Sequence, residues 1–263
     1  MTSATFETLR VEADGPIGRL TLARPERLNA LSVQALRELA DAARWFDGEA
    51  GVKVVVVAGE GRAFSAGFDL DDFSGVGSGG RDSGDAGRRM ADAVTDMRAL
   101  TIAAVQGHCV GGGVVLAAAC DLRIASDDAT FSIPEVDLGI PLAWGGIPRL
   151  VRELGPAVTK ELVLTCRPFS AGEARALRFV NRVVPGDSLM AEVGALASQL
   201  AAKSALTLDV TKRHVNAVTE EMGSTRMAFN DTDALQTALH DPESRAVAAG
   251  YLEQRQRRRQ SDA

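Results

Sequence analysis

The chain has 263 residues, 46% of them hydrophobic and 24% charged, enough to bury a full core, which excludes a chain disordered as a whole. Its 29 basic and 35 acidic residues give a net charge of −6, which argues against a general nucleic-acid or membrane surface. Cys109, Cys120 and Cys166 lie in apolar runs without metal-ligand spacing, and no run reaches the ~18 apolar residues of a membrane span, so a soluble cytoplasmic protein with reduced core thiols is expected.

In chain order, 6–12 and 17–23 are short β-like runs around a hairpin turn at Asp14-Gly15-Pro16. Pro25 stops the second run, and Ser32 can cap a helix carrying Leu36, Leu39, Ala43 and Phe46 on one face. Residues 53–58 (KVVVVA) are apolar without alternation, the pattern of a strand buried on both faces of a parallel sheet. A loop-like glycine-bearing segment spans 59–70, and 73–89, rich in Gly, Ser and Asp, reads as mobile. Met90, Val94 and Met97 then mark a helix face. Strands are expected at 122–125 and 129–133, irregular structure at 134–146, and a helix near Pro148 that Gly155 ends. A capping box at 170–173 opens a helix through Phe179, followed by a strand at 180–184. Beyond Ser188 only helices are expected: 188–201, 205–219, 224–239 and one from Asp241-Pro242 into a solvated basic tail. This divides the chain into an α/β core, 1–187, and a helical part, 188–263.

Two glycine-bearing corners follow buried-type strands, Ser65-Ala66-Gly67 and Gly111-Gly112-Gly113. The second joins a strand to a helix, where bare backbone N–H groups and the helix dipole favour an anion or a developing oxyanion; a tight packing turn is the alternative. The phosphate-loop lysine, a G-x-G-x-x-G helix start and a G-x-S-x-G elbow are all missing, which argues against nucleotide hydrolysis, dinucleotide binding and serine hydrolysis. His108, His214 and His240 leave few ways to build a triad or a zinc site, and His108 reads as a turn residue.

Four pieces in register carry a resemblance: RPERLNAL (24–31), GRAFSAGFDL (61–70), AAVQGHCVGGGVVLAAACDLRIAS (103–126) and FSIPEVDLGIP (131–141). Their order and spacing resemble the crotonase superfamily of enoyl-CoA hydratases and isomerases. The resemblance implies an α/β spiral of β-β-α units with a helical C-terminal trimerisation region, assembled as a homotrimer or a dimer of trimers. It implies an acyl-CoA or enoyl-CoA thioester as substrate and no cofactor beyond the CoA of that substrate. Position by position, the Ala66 and Gly112 N–H groups would form an oxyanion hole for the thioester carbonyl, stabilising an enolate as charge develops. Ala66, Gly67, Phe68 and Asp69 would line the acyl-thioester, and Arg27 and Leu28 would border CoA. By its own position Asp69 also reads as the cap of its turn. Trp144 reads as a core or lid-packing residue, with a place on the border of the pocket as the alternative.

Glu135, among apolar neighbours, matches the superfamily's second catalytic glutamate and should hold its proton more readily than a surface carboxylate. The position of the first is Val115. Losing one acid-base partner lowers a rate by ~10²–10⁴-fold, which puts two-carboxylate hydration in doubt. One carboxylate can still take a proton from one carbon and return it to another, the logic of an enoyl-CoA isomerase. Asp137 matches the dienoyl-CoA isomerase string EVD, but the aspartates which those enzymes carry at the positions of Val115 and Ala143 are missing. The alternatives are an enoyl-CoA hydratase of fatty-acid β-oxidation, a CoA-thioester hydrolase or C–C cleaving enzyme, and a non-catalytic acyl-CoA-binding protein.

Overall fold

The computed structural model describes residues 1–73 and 81–261. Its organising strand is β4 (Val54–Gly59), in which Val55 and Val57 enter one apolar core while Val54 and Val56 enter another. A strand buried on both faces needs no polar alternation, which is why its sequence has none. β1 (Thr2–Thr5), β2 (Leu9–Asp14), β3 (Ile17–Leu22), β4, β6 (Leu100–Val105), β8 (Leu122–Ser126) and β11 (Arg182–Val184) lie in that order in one seven-stranded sheet. β1, β2 and β3 pair antiparallel; from β3 onward every pairing is parallel. A second sheet has the order β10 (Phe169–Ser170), β9 (Thr130–Ser132), β7 (His108–Val110), β5 (Ala63–Ser65).

The chain winds between the two sheets as a spiral. β4, β6 and β8 each lead into a short strand of the second sheet, β5, β7 and β9 respectively. α1 (Val33–Gly48) precedes β4, α2 (Leu70–Phe73) follows β5, α3 (Arg81–Asp96) returns to β6, and α4 (Gly112–Ala119) returns to β8. Ser32 caps α1 by accepting the Ala35 N–H at 3.1 Å, and Leu36, Leu39, Ala43 and Phe46 are all buried. α5 (Gly146–Leu154), α6 (Pro156–Thr165) and α7 (Ala171–Ala176) follow β9.

The far face of the large sheet is covered by α8 (Leu189–Ala201), whose Leu189, Val193, Ala197 and Ala201 pack on Val54, Val56, Ile102, Ala104 and Ile124. α9 (Ala205–Met222) is pinned by an ion pair between buried Lys212 and partly buried Asp121: Lys212 Nζ lies 2.8 Å from Asp121 Oδ2 and donates to the Ala99 carbonyl at 2.9 Å. Asp121 also accepts the Thr101 N–H at 2.7 Å and its hydroxyl at 2.9 Å, so the pair joins helix to sheet with its polar atoms satisfied. α10 (Asp231–His240) and α11 (Pro242–Ser261) complete the chain. No helix among the described residues is long and apolar enough to cross a membrane.

Several expectations are corrected. Within 73–89, residues 81–89 are helical, because the buried stripe Ala86, Met90, Val94, Met97 continues the period of α3 through a polar composition; 74–80 lie outside the described residues. The segment 224–239 is a 3-10 turn, Thr225–Ala228, followed by α10. The capping box holds, with Ser170 Oγ accepting the Glu173 N–H at 3.2 Å, but its helix ends at Ala176. β1, β5, β7 and α6 were not expected; three-residue strands are too short for periodicity to register.

Candidate active site

The second sheet gathers the site. Its parallel pairing sets Ser65 beside Cys109, Cys109 beside Phe131, and Val110 beside Ser132, so the carboxyl ends of β5, β7 and β9 share one edge. The segments leaving those ends are Ala66–Asp69, Gly111-Gly112 and Ile133-Pro134-Glu135, three pieces distant in sequence that topology brings together. Ligands of parallel α/β sheets bind outside the carboxyl ends of the strands, and this edge carries the two cavities described below.

Gly111 sits at φ +50° and ψ −113°, a conformation that a side chain resists, and its N–H donates to the Ser132 carbonyl at 2.8 Å. A Cβ built there would meet Glu135 Oε1 at 2.4 Å. The bare glycine therefore makes room for the glutamate. Glu135 Oε2 is buried with no hydrogen-bond partner among the described residues, and burial pushes the carboxyl up to about 7. Such a group is poised to accept and return a proton at neutral pH.

An inner cavity of about 50 Å³ is walled by Phe68, Gly112, Glu135, Leu142, Trp144 and Leu235, and Glu135 is the one titratable group on its described lining. An adjoining outer chamber of about 320 Å³ is bordered by Leu28, Ala66, Gly67, His108, Gly111 and Tyr251, with Glu135 and Phe68 on both walls. The carboxylate thus stands where the two spaces meet. Val115, at the position where a second carboxylate was sought, is fully buried in apolar packing; its Cγ2 would lie 3.0 Å from a Cβ at Gly146, beside Leu142.

Gly112 is the first residue of α4, where a helix has no internal acceptor for the N–H. The expected second donor is corrected: the Ala66 N–H already donates to the Leu28 carbonyl at 2.9 Å. Two residues on, Phe68 is held by its neighbours, since Leu31 N–H donates to Gly67 O at 2.8 Å and Asp69 N–H donates to Leu31 O at 3.1 Å. The Phe68 N–H between them donates to no acceptor among the described residues. Both Phe68 and Gly112 face the inner cavity. Sequence carries no sign of this, because neighbouring N–H groups differ only in where the fold points them.

Asp69 is buried and lies 2.9 Å from both Arg24 Nη2 and Arg27 Nη2. It also accepts the Asp71 N–H at 3.2 Å, the turn-capping role read from its position. Arg27 bridges to Asp71 as well, so its guanidinium is held at the outer edge of this loop. Asn29, which sequence did not single out, fastens the same region: it donates to the carbonyls of Glu60 at 2.9 Å and Ala63 at 2.8 Å and accepts the Arg24 N–H at 3.1 Å. His108 is exposed on the outer chamber, and the three cysteines are buried free thiols, with Cys120 pushed up to about 12 by burial.

A spiral of β-β-α turns that collects three strand-end loops around one site has the crotonase fold, and solved structures share it. The enoyl-CoA hydratase/isomerase from Xanthobacter autotrophicus Py2 superposes with a TM-score of 0.85 at 32% identity over 97% of this chain and 99% of that one. An enoyl-CoA hydratase from Mycobacterium avium subsp. paratuberculosis K-10 also gives 0.85, at 28% identity over 94% of this chain and 99% of that one. The chain belongs to the enoyl-CoA hydratase/isomerase family, whose model matches residues 12–261. Among curated relatives, a probable enoyl-CoA hydratase of Mycobacterium tuberculosis is 34% identical over 95% of this chain and 97% of its own length. A peroxisomal Delta(3,5)-Delta(2,4)-dienoyl-CoA isomerase of Arabidopsis thaliana is 36% identical over 79% of this chain and 80% of its own length. The protein is thus an enzyme of this family.

Proposed function

We propose that the protein moves the double bond of an enoyl-CoA thioester by proton transfer through Glu135. The observation that supports this reading is one buried carboxylate, pushed up to about 7, as the one titratable group on the described lining of the inner cavity, while Val115, at the position of the second acid, is buried in apolar packing. With the thioester carbonyl against the Gly112 and Phe68 N–H groups, ionised Glu135 removes a proton from C2 of a 3-enoyl-CoA. The electron pair delocalises onto the thioester oxygen, and those two donors stabilise the charge. The same carboxyl then returns the proton to C4, leaving the 2-enoyl isomer and a regenerated carboxylate. Arg27 and Leu28 would border the CoA moiety on the outer side, with Ala66, Gly67 and Asp69 shaping the loop against the thioester.

The relatives' names favour hydration as the second reading, which Glu135 would have to perform without the partner acid. Assay of 2-enoyl-CoA and 3-enoyl-CoA in D₂O separates the two. The expected result is interconversion of the isomers, with deuterium entering C4 only to the extent that the Glu135 carboxyl exchanges with solvent before returning its proton; hydration of the 2-enoyl substrate at an ordinary enzymatic rate of ~10 s⁻¹ overturns it. We further assign the helical part, 188–263, to association as a homotrimer or a dimer of trimers, supported by the exposed Leu206, Val210, Val218 and Met222 of α9. Sedimentation of the purified protein tests it.

A further inference from the structure

Trp144 is the side chain whose seat is most elaborately prepared. A Cβ at Gly112 would lie 2.2 Å from Trp144 Cζ3, and a Cβ at Gly87 would lie 2.2 Å from Trp144 Cδ2, so the indole packs closely against glycines of two different helices, α4 and α3. Its edge meets Phe68 with ring centroids 5.7 Å apart at 86°. The backbone of Trp144 is left-handed, φ +62°, a conformation rare outside glycine that persists only where the surroundings hold it. Here they do: the Gly145 N–H donates to Asp231 Oδ2 at 2.8 Å, and the Trp144 carbonyl accepts from Arg149 Nη1 at 3.4 Å. The indole is thus a fixed wall of the inner cavity, with Leu142 and Leu235 on the same lining.

We propose that Trp144 sets the acyl-chain length, limiting the inner cavity to short acyl groups. The inference rests on the reading above that this cavity receives the acyl group of a CoA thioester. Its volume of about 50 Å³ holds about four water-sized groups, and a methylene is close to water in size, so an acyl group of about four to six carbons fills it. Longer chains meet the indole, which is held in place by its close contacts with Gly87 and Gly112.

Calorimetric titration with saturated butyryl-, hexanoyl-, octanoyl- and decanoyl-CoA tests this, since these ligands undergo no double-bond chemistry. Each methylene that enters apolar space adds about fourfold in affinity, so wild-type affinity should rise to hexanoyl-CoA and then stop rising. Trp144→Leu, with Trp144→Phe as the milder change, should carry the rise onward and strengthen octanoyl-CoA binding about tenfold or more, two methylenes' worth. Wild-type affinity that keeps climbing through decanoyl-CoA overturns the proposal, as does a break point that stays at hexanoyl-CoA in both variants. Failure of the isomerase reading would appear instead as 2-enoyl-CoA and 3-enoyl-CoA that do not interconvert, with the chain-length profile unchanged.

Discussion

Gly111 and Glu135 share one space: the carboxylate lies where a side chain on the glycine would stand, 2.4 Å from its Cβ position. Gly111→Ala therefore displaces the proposed base and also strains a backbone at φ +50°. kcat/KM for isomerisation should fall by about 10²-fold or more, the contribution of a positioned general base, while acyl-CoA binding survives. A variant within threefold of wild type would show that the base is not held by this contact.

The pH dependence follows from the burial of Glu135. The base works ionised, so with its carboxyl at about 7, kcat/KM should rise tenfold per pH unit below neutrality and level off above it. Rates measured from pH 5.5 to 8.5 check the limb. A profile already flat at pH 5.5 would assign the proton transfer to another group.

The same burial makes a stability prediction of definite sign. Folding raises the Glu135 carboxyl from 4.5 to about 7, so between those values the folded state holds the proton that the unfolded state has released. Stability contributed by the protonated form is complete below pH 4.5 and is lost as pH rises through about 7. Glu135→Gln removes the ionisation, and should match wild type near pH 4.5 yet exceed it at pH 8 by up to about 3 kcal/mol, the equivalent of the shift. Turnover should be abolished. Urea unfolding at both pH values tests this, and an equal gap at the two would refute it.

A fourth prediction concerns the ion pair that fastens α9. Lys212→Met leaves the partly buried Asp121 against the sheet without its cation, which costs up to about 3 kcal/mol, the low end of the range for a fully buried pair. Adding Asp121→Asn should recover part of the loss, because the amide can still accept from Thr101. Urea midpoints of the single and double variants measure the difference; a double variant weaker than the sum of the singles would contradict the pairing.

Much of the fold was legible where burial writes itself into the residue pattern. Val54 to Val57 announced a strand buried on both faces, Ser32 announced a helix start, and the four motifs announced the spiral. The second sheet was not legible, although it assembles the site, because β5 and β7 have three residues each and their pairing is long-range. Glu135 was singled out by the resemblance of the 131–141 motif, its apolar neighbours adding the expectation of a readily held proton. The allocation of N–H groups in 66–69 could not be found: whether Ala66 or Phe68 is left without an acceptor depends on Leu28 and Leu31 arriving from another loop.

The close packing on Trp144 also constrains how this sequence can change. At Gly87 or Gly112 any larger residue collides with the indole, a collision that is relieved only once Trp144 is reduced. The effects of these positions are therefore non-additive, and the order of replacement matters. A lineage that widened this cavity would have to yield the tryptophan first and the glycines afterwards.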